Sequence, residues 1–249
     1  MSRFSNTVNY DLGTLTSRTR QRSTFLRDNR FENDIYEFDT TSTRNINISL
    51  HDLATGDDAD LRLYEDTNSN GILDSSDLQL ASSVRSGNNN DTINYRGSAG
   101  TYFARVSYFS SQADSRIDYE LDLTADFRRG SSTIAAIEDY GTSLVGDAAA
   151  VETGRISNRN TSDTYALSVF SNEVYDITLS GLSNDADLRV IEDENNNGIV
   201  DAGEIYASST RGGSRSDTVT IDDAGDYFVE VYQYRGSTDY TLQIDQDFV

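Results

Sequence analysis

Apolar side chains recur along this chain with a period of two. Ile46, Ile48 and Leu50 alternate with Asn47 and Ser49, and Leu61 and Leu63 alternate with Arg62 and Tyr64. Tyr102, Ala104 and Val106 fall on one side of a strand, Phe103 and Arg105 on the other. A period of two places successive side chains on opposite faces of a pleated strand, so it predicts half-buried β-strands and not helices. Val174, Ile177 and Leu179 break the alternation once, which predicts a bulge. Clusters of Asn, Asp, Ser and Gly separate the strands at short intervals. The pattern is that of an antiparallel β-sandwich with roughly seven or eight strands per copy of the repeat described next. One stretch, from Ser132 to Ala150 around Ile134 and Ile137, reads as a candidate helix.

The pattern occurs twice. Asp34 and Tyr36 return as Asp163 and Tyr165, a shift of 163 − 34 = 129. Asp58-Ala59-Asp60-Leu61-Arg62 returns as Asp185-Ala186-Asp187-Leu188-Arg189, and Asp91 as Asp217. Tyr102 and Phe103 return as Tyr227 and Phe228, and Asp118-Tyr119 as Asp239-Tyr240, where the shift has fallen to 239 − 118 = 121. A falling shift means small deletions in the second copy, placed between strands where loops tolerate them. The polar stretch after Phe127 marks the boundary, so the chain divides into repeat 1 over 1–128 and repeat 2 over 129–249.

Each repeat carries one twelve-residue acidic loop. The first runs from Asp66 to Asp77 and the second from Asp193 to Glu204. Side-chain oxygens stand at Asp66, Asn68, Asn70, Asp74 and Asp77 in one, and at Asp193, Asn195, Asn197, Asp201 and Glu204 in the other. Gly71 and Gly198 occupy the sixth position, and the carbonyls of Ile72 and Ile199 follow at the seventh. This is the spacing by which a short loop wraps six to eight oxygens around a calcium ion. An Asx-rich hairpin turn explains the Asn-Gly dipeptides alone, but not acids at the ninth and twelfth positions. The flanking residues follow the strand period, so these are EF-hand-like loops set in β-hairpins. The hairpins join Leu61–Glu65 to Leu78–Ser82 and Leu188–Glu192 to Ile205–Ser208. Two calcium ions are expected, one per repeat. Neutral Asn ligands point to affinities on the order of 10⁻⁴ to 10⁻³ M. Asp77 is one methylene shorter than Glu204, so loop 1 is expected to be the weaker site.

Composition narrows the partners. The net charge is −22, the basic residues are 20 arginines with no lysine, and cysteine, proline and tryptophan are absent. Such a surface repels nucleic acid and attracts cations. No apolar run is long enough to span a membrane, and the N-terminus lacks the apolar core of a signal peptide. His51 is the one histidine, with Ser180 in its place in repeat 2, so neither a nucleophile triad nor a zinc site can be assembled. A carboxylate pair acting on glycosides is the remaining catalytic reading, and the weakest.

The Asp-x-Tyr opening, the Asp-Ala-Asp-Leu-Arg strand, the Asp-x-Asn-x-Asn-Gly loop, the Gly-x-Tyr-Phe-x-x-Val strand and the Asp-Tyr-x-Leu closing strand occur in one order in both repeats. Together they resemble tandem bacterial pre-peptidase C-terminal domains of the calcium-loop-bearing kind. Asn9–Gly13 and Asp139–Gly141 are similar to the family's first strand. The resemblance implies jelly-roll-like sandwiches, secreted or at the cell surface, that serve as non-catalytic targeting, binding or secretion modules. A polysaccharide or a protein matrix is the expected partner. Purely structural alternatives are a calcium-stiffened spacer or matrix protein, and a further one is an accessory domain of a peptidase. Phe109 and Tyr234 stand at equivalent tips and read either as stacking platforms for such a partner or as edge packing. Asp58/Asp60 and Asp185/Asp187 read either as strand caps paired with Arg62 and Arg189, or as further metal ligands. The terminal Asp247-Phe248 resembles a type I secretion tail and also matches Asp126-Phe127, the end of repeat 1.

Overall fold

The structure is a computed structural model that describes residues 7–17, 20–27, 32–111, 116–135, 138–139 and 150–248. The chain forms two compact units, Met1–Phe127 and Arg128–Val249. The candidate helix lies mostly outside the described residues, as do Tyr140 and Gly141.

Unit 1 contains β1 (Thr7–Thr14), β2 (Arg20–Arg27), β3 (Asn33–Thr40), β4 (Arg44–His51), β5 (Asp58–Glu65), β6 (Leu78–Ser83), β7 (Asp91–Gly97), β8 (Gly100–Ser110) and β9 (Arg116–Asp126). Unit 2 contains β10 (Glu138–Asp139), β11 (Ala150–Ile156), β12 (Ser162–Val169), β13 (Glu173–Ser180), β14 (Asp185–Ile191), β15 (Ile205–Ser209), β16 (Asp217–Ile221), β17 (Gly225–Arg235) and β18 (Thr238–Phe248). The sheets are ordered β1-β3-β8-β5-β6 and β2-β9-β4-β7 in unit 1, and β10-β12-β17-β14-β15 and β11-β18-β13-β16 in unit 2. Adding nine to each strand of unit 1 gives unit 2, so both repeats fold with one topology. Each unit is an all-β sandwich. Among the described residues its pairing is antiparallel except at one edge, where β1 lies parallel to β3 and β10 parallel to β12.

The period of two explains the layers. Ile46, Ile48, Leu50, Leu61, Leu63, Tyr102, Ala104 and Val106 all turn into the core of unit 1. Ile177, Leu179, Leu188, Val190, Val229 and Val231 do the same in unit 2. The expected bulge near Val174 is absent. β13 pairs without a register shift, and Tyr175, not Val174, joins Ile177 and Leu179 in the core. The outer face of β4 also departs from simple alternation. Asn47 and Ser49 are buried, and Asn47 is satisfied by Asn94 Oδ1 at 2.8 Å and by the Thr124 hydroxyl at 3.3 Å.

The Asp-x-Tyr and Asp-Tyr-x-Leu motifs meet across the sandwich. The Tyr119 hydroxyl donates to Asp34 Oδ2 at 2.6 Å and lies 2.7 Å from the Tyr36 hydroxyl. In unit 2, Tyr240 donates to Asp163 Oδ2 at 2.8 Å and lies 2.6 Å from the Tyr165 hydroxyl. Each trio ties the first sheet of its unit to the second. Tyr102 and Tyr227 make a different tie, a tyrosine corner, donating to the carbonyls of Ser98 at 2.7 Å and Asp223 at 3.2 Å.

Candidate metal centre

Loop 1 joins β5 to β6, with Glu65 opposite Leu78. Loop 2 joins β14 to β15, with Ile191 opposite Ile205. Each tip is folded by its own side chains, in the same way. Asp66 accepts from the Asn70 N–H at 3.3 Å and the Gly71 N–H at 2.9 Å. Asp193 accepts from the Asn197 N–H at 3.2 Å and the Gly198 N–H at 2.9 Å. Asn68 and Asn70 accept from the N–H groups of Asn70 at 3.0 Å and Ile72 at 2.7 Å. Asn195 and Asn197 accept from those of Asn197 at 3.0 Å and Ile199 at 2.8 Å. The twelfth residue caps the ninth. The Asp74 N–H donates to Asp77 at 2.8 Å and the Asp201 N–H to Glu204 at 2.6 Å. The coil requires left-handed backbone at the fourth and sixth positions, with φ of 55° at Ser69, 66° at Gly71, 52° at Asn196 and 72° at Gly198. Glycine takes that conformation without strain.

These bonds orient side-chain oxygens of Asp66, Asn68, Asn70, Asp74 and Asp77, and their equivalents in loop 2, around each turn. Every donor is oxygen, a set that fits a hard cation such as calcium and offers nothing to a soft one. Two acids are held charged. N–H of Ser76 and the amide of Asn70 keep the Asp74 carboxyl below the ordinary carboxylate range. The amides of Asn195 and Asn197 do so for Asp201. The loops are closed by amide–carboxylate bonds, Asn70 Nδ2 to Asp74 at 3.1 Å and Asn197 Nδ2 to Asp201 at 2.8 Å. A cation would have to replace those bonds. Among the described residues, the tightest grouping of acid and imidazole ligand atoms is His51, Asp52 and Glu120, within 4.8 Å of one another, and the loop acids stand wider.

The two loops are anchored differently. In loop 1 Leu73 packs with Ile35, Phe103 and Tyr64 on the outer face of the five-stranded sheet. Loop 2 is braced by the segment before it in unit 2. The Ile134 N–H donates to the Gly198 carbonyl at 2.7 Å, and the Val200 N–H to the Ser132 carbonyl at 3.2 Å. That segment is held in turn by Glu230, fully buried, which accepts from the Ser131 N–H at 2.5 Å and pairs with Arg189. Glu204 is buried and Asp77 half-buried. Neither brace was visible in the loop sequences, because both come from residues distant in the chain.

The other candidates separate. Phe109 is 66% exposed and Tyr234 46% exposed, so the edge-packing reading does not hold for them. Both occupy bulges. Asp58 pairs with Ser110 and Ala59 with Tyr108, leaving Phe109 unpaired, and Asp185 pairs with Arg235 and Ala186 with Gln233, leaving Tyr234 unpaired. A bulge residue turns outward because the ladder skips it. The guanidinium of Arg129 lies 4.2 Å from the Tyr234 ring centroid. Asp60 pairs with Arg62 at 3.0 Å, but Arg189 pairs with Glu230 and not with Asp185 or Asp187. His51 is bonded at Nε2 to the buried Asp122 at 3.0 Å. Burial disfavours its charged form, but Asp122 outweighs that and raises the pKa.

The sequence model of the bacterial pre-peptidase C-terminal domain matches residues 32–107 and 161–233, one match in each unit. Among solved structures, the pre-peptidase C-terminal domain of Bacillus anthracis collagenase is 20% identical, covering 47% of this chain and 93% of that one, with a TM-score of 0.32. Aeromonas hydrophila PliG, a periplasmic inhibitor of g-type lysozyme, is 17% identical over 44% of this chain and 94% of its own, with a TM-score of 0.33. No curated protein matches the chain.

Proposed function

Because the chain belongs to the bacterial pre-peptidase C-terminal domain family, we propose that it is a non-catalytic, calcium-binding module of a secreted or cell-surface protein. Calcium pins one hairpin tip per unit, and the stabilised sandwiches present a binding surface. The observation that carries this reading is the duplicated hydrogen-bond frame of the two loops, which orients an all-oxygen ligand set the same way twice. The ligands are Asp66, Asn68, Asn70, Ile72, Asp74 and Asp77 in loop 1, and Asp193, Asn195, Asn197, Ile199, Asp201 and Glu204 in loop 2.

Without metal, three carboxylates crowd each tip. Two ions would change the formal charge from −22 to −22 + 4 = −18. At a calcium concentration 100 times the Kd, each ion would stabilise its unit by about 2.7 kcal/mol. Sites of millimolar affinity fill outside cells and stay empty at cytosolic calcium, which fits an exported protein.

Exposure of Phe109, and of the Tyr234 ring beside Arg129, favours a binding surface over a bare spacer, since an exposed ring can stack on a sugar or grip a matrix peptide. Calcium calorimetry tests the metal reading. The wild-type chain should lose the loop 1 event in Asp66→Ala and the loop 2 event in Asp193→Ala, with loop 2 the tighter site. Thermal melting indifferent to chelator, together with unchanged titrations in both variants, would refute it. Retention on polysaccharide or matrix columns that is lost in Phe109→Ala/Tyr234→Ala would separate the binding module from the spacer.

A further inference from the structure

A second group of acids stands at the opposite end of β5 and β14 from the loops. β5 opens with Asp58-Ala59-Asp60 and β14 with Asp185-Ala186-Asp187, while Asp91 and Asp217 are the first residues of β7 and β16. β5 and β14 belong to the five-stranded sheets, β7 and β16 to the four-stranded ones, so the acids gather where the chain crosses between sheets. Asp58 lies eight residues before Asp66, roughly 26 Å along an extended strand. The group is therefore separate from the loop.

Asp91 and Asp217 are held in the same way. Asp91 Oδ1 accepts from Ser83 Oγ at 2.5 Å and the Arg85 N–H at 2.9 Å. Asp217 Oδ1 accepts from Ser209 Oγ at 2.6 Å and the Arg211 N–H at 2.7 Å. With Oδ1 fixed, Oδ2 must point away, and in both residues it is buried without a hydrogen-bond partner. Asp91 is 1% exposed and Asp217 0%. Asp58 Oδ1 and Asp185 Oδ1 are likewise buried and unpartnered. The orphaned oxygens thus sit at the same atoms in both repeats, although the loops beside them, Arg85–Asn90 and Arg211–Ser216, share little sequence. The acids of each group sense one another. Burial, then Asp60 and Asp58, push the Asp91 carboxyl up to about 6, against its bonds to Ser83 and Arg85. Burial, then Asp185 and Asp217, push Asp187 up to about 6.

A buried carboxylate oxygen without a partner costs a folded protein several kcal/mol. Two such oxygens per unit, both repeated, call for a counter-charge. Backbone N–H groups of Gly87, Arg85 and Arg211 reach Asp58, Asp91 and Asp217, and Arg129 favours the charged form of Asp187, while Arg62 is taken by Asp60 and Arg189 by Glu230. We infer that each unit holds a second hard divalent cation of the calcium class, on Asp58 and Asp91 in unit 1 and on Asp185 and Asp217 in unit 2, with Asp60 and Asp187 as the third acid. The acids are spread wider than the His51, Asp52 and Glu120 group. A bound cation would offset the like-charge repulsion among them. The inference stands independently of the loops.

The test counts calcium ions on the full chain by native mass spectrometry and calorimetry. Wild type should bind four, Asp66→Ala/Asp193→Ala two, and Asp91→Asn/Asp217→Asn two. Asparagine keeps the oxygen that accepts from Ser83 and Arg85, or from Ser209 and Arg211, so the fold has what it needs. In chelator the Asn pair should melt above wild type, and calcium should raise its Tm by less. An Asn pair that binds as many ions as wild type would overturn the inference, as would a loop-disabled chain that binds none. The loop sites fail on a different result, wild type and the loop-disabled chain binding the same number. The loop-disabled chain also tests the acid pockets without altering them.

Discussion

Tyr119→Phe removes one hydroxyl from the tie between the two sheets of unit 1. Asp34 is 1% exposed, its Oδ2 accepts from Tyr119 at 2.6 Å, and its Oδ1 has no partner. The substitution therefore leaves the whole carboxylate buried and unpaired. A hydrogen bond to a charged group contributes about 1.5–3 kcal/mol, and orphaning the group adds its desolvation, so the expected loss is about 3 kcal/mol at pH 7.5. Tyr240→Phe makes the same chemical change in unit 2 with a different consequence. Asp163 keeps the Asn160 amide on Oδ1 at 2.8 Å, so its carboxylate retains one partner and the loss should be about 1.5 kcal/mol. Acidity supplies a second signature. Burial raises the Asp34 pKa from 3.8 to about 6, against the lowering effect of Tyr119. Its folded value lies above its unfolded one, so its contribution favours folding below pH 3.8 and is lost as pH rises through about 6. At pH 4.5 the folded carboxyl carries a proton, the unpaired charge is gone, and the Tyr119→Phe defect should shrink to about 1 kcal/mol. Urea unfolding of the full chain, followed by hydrogen-exchange mass spectrometry of peptides from β9 and β18, reads each unit separately. Equal losses in the two units, or a Tyr119→Phe loss that does not change between pH 4.5 and 7.5, would refute the argument.

Other expectations follow from single contacts. Gly154 lies opposite Tyr240, and a Cβ there would stand 2.4 Å from the hydroxyl, so Gly154→Ala should destabilise unit 2 by about 1–3 kcal/mol in the same exchange assay. Gly71→Ala and Gly198→Ala force an L-residue to φ of 66° and 72°, which should cost about 1 kcal/mol and weaken calcium binding at that loop alone in calorimetry. Glu230→Ala leaves Arg189 without its partner and frees Ser131, so urea unfolding should report a loss of about 3–5 kcal/mol and calorimetry a weaker loop 2.

Much of the fold was legible because its signals are local. The period of two placed Ile46, Ile48, Leu50, Leu61 and Leu63 in the core, and the hairpin strands meet both loops within a residue of expectation, although β5 and β14 begin three residues earlier than expected, at Asp58 and Asp185. The parallel edge pairs were not legible, since Thr7–Asp11 carries no mark of which strand it will join. Asn47 and Ser49 misled for a related reason: polar residues in alternation predict an exposed face, and only the cross-strand partners Asn94 and Thr124 explain how they are buried. At the loops, the ligand set follows from spacing, but the braces from Leu73, Ile134 and Glu230 are long-range packing. Asp91 and Asp217 stand out in the sequence only as equivalent positions of the two repeats, because nothing in their neighbourhood tells which carboxylate oxygen will be left unpaired.

The duplication separates what the sandwich requires from what each unit added. Both units retain the Asp–Tyr–Tyr tie, the loop hydrogen bonds and the orphaned aspartate oxygens, although Gly154 faces Tyr240 where Thr24 faces Tyr119. The partners of the paired arginines differ. Arg189 lies opposite Glu230, whereas Arg62 lies opposite Arg105. In unit 1 the two arginines, which repel each other, have other partners, Asp60 for Arg62 and the Tyr64 ring, 5.1 Å away, for Arg105. In unit 2 the Arg189–Glu230 pair is free to hold Ser131 and, through it, the segment that braces loop 2. One exchange of charge on β8 and β17 thereby gives loop 2 a backbone support that loop 1 replaces with apolar packing. A preordered loop loses less freedom when it closes on an ion, so this support and the longer Glu204 both predict the tighter calcium site in unit 2. Glu230→Gln should narrow the affinity gap between the loops while leaving every loop ligand in place, and a gap that stays constant would assign the difference to Glu204 alone.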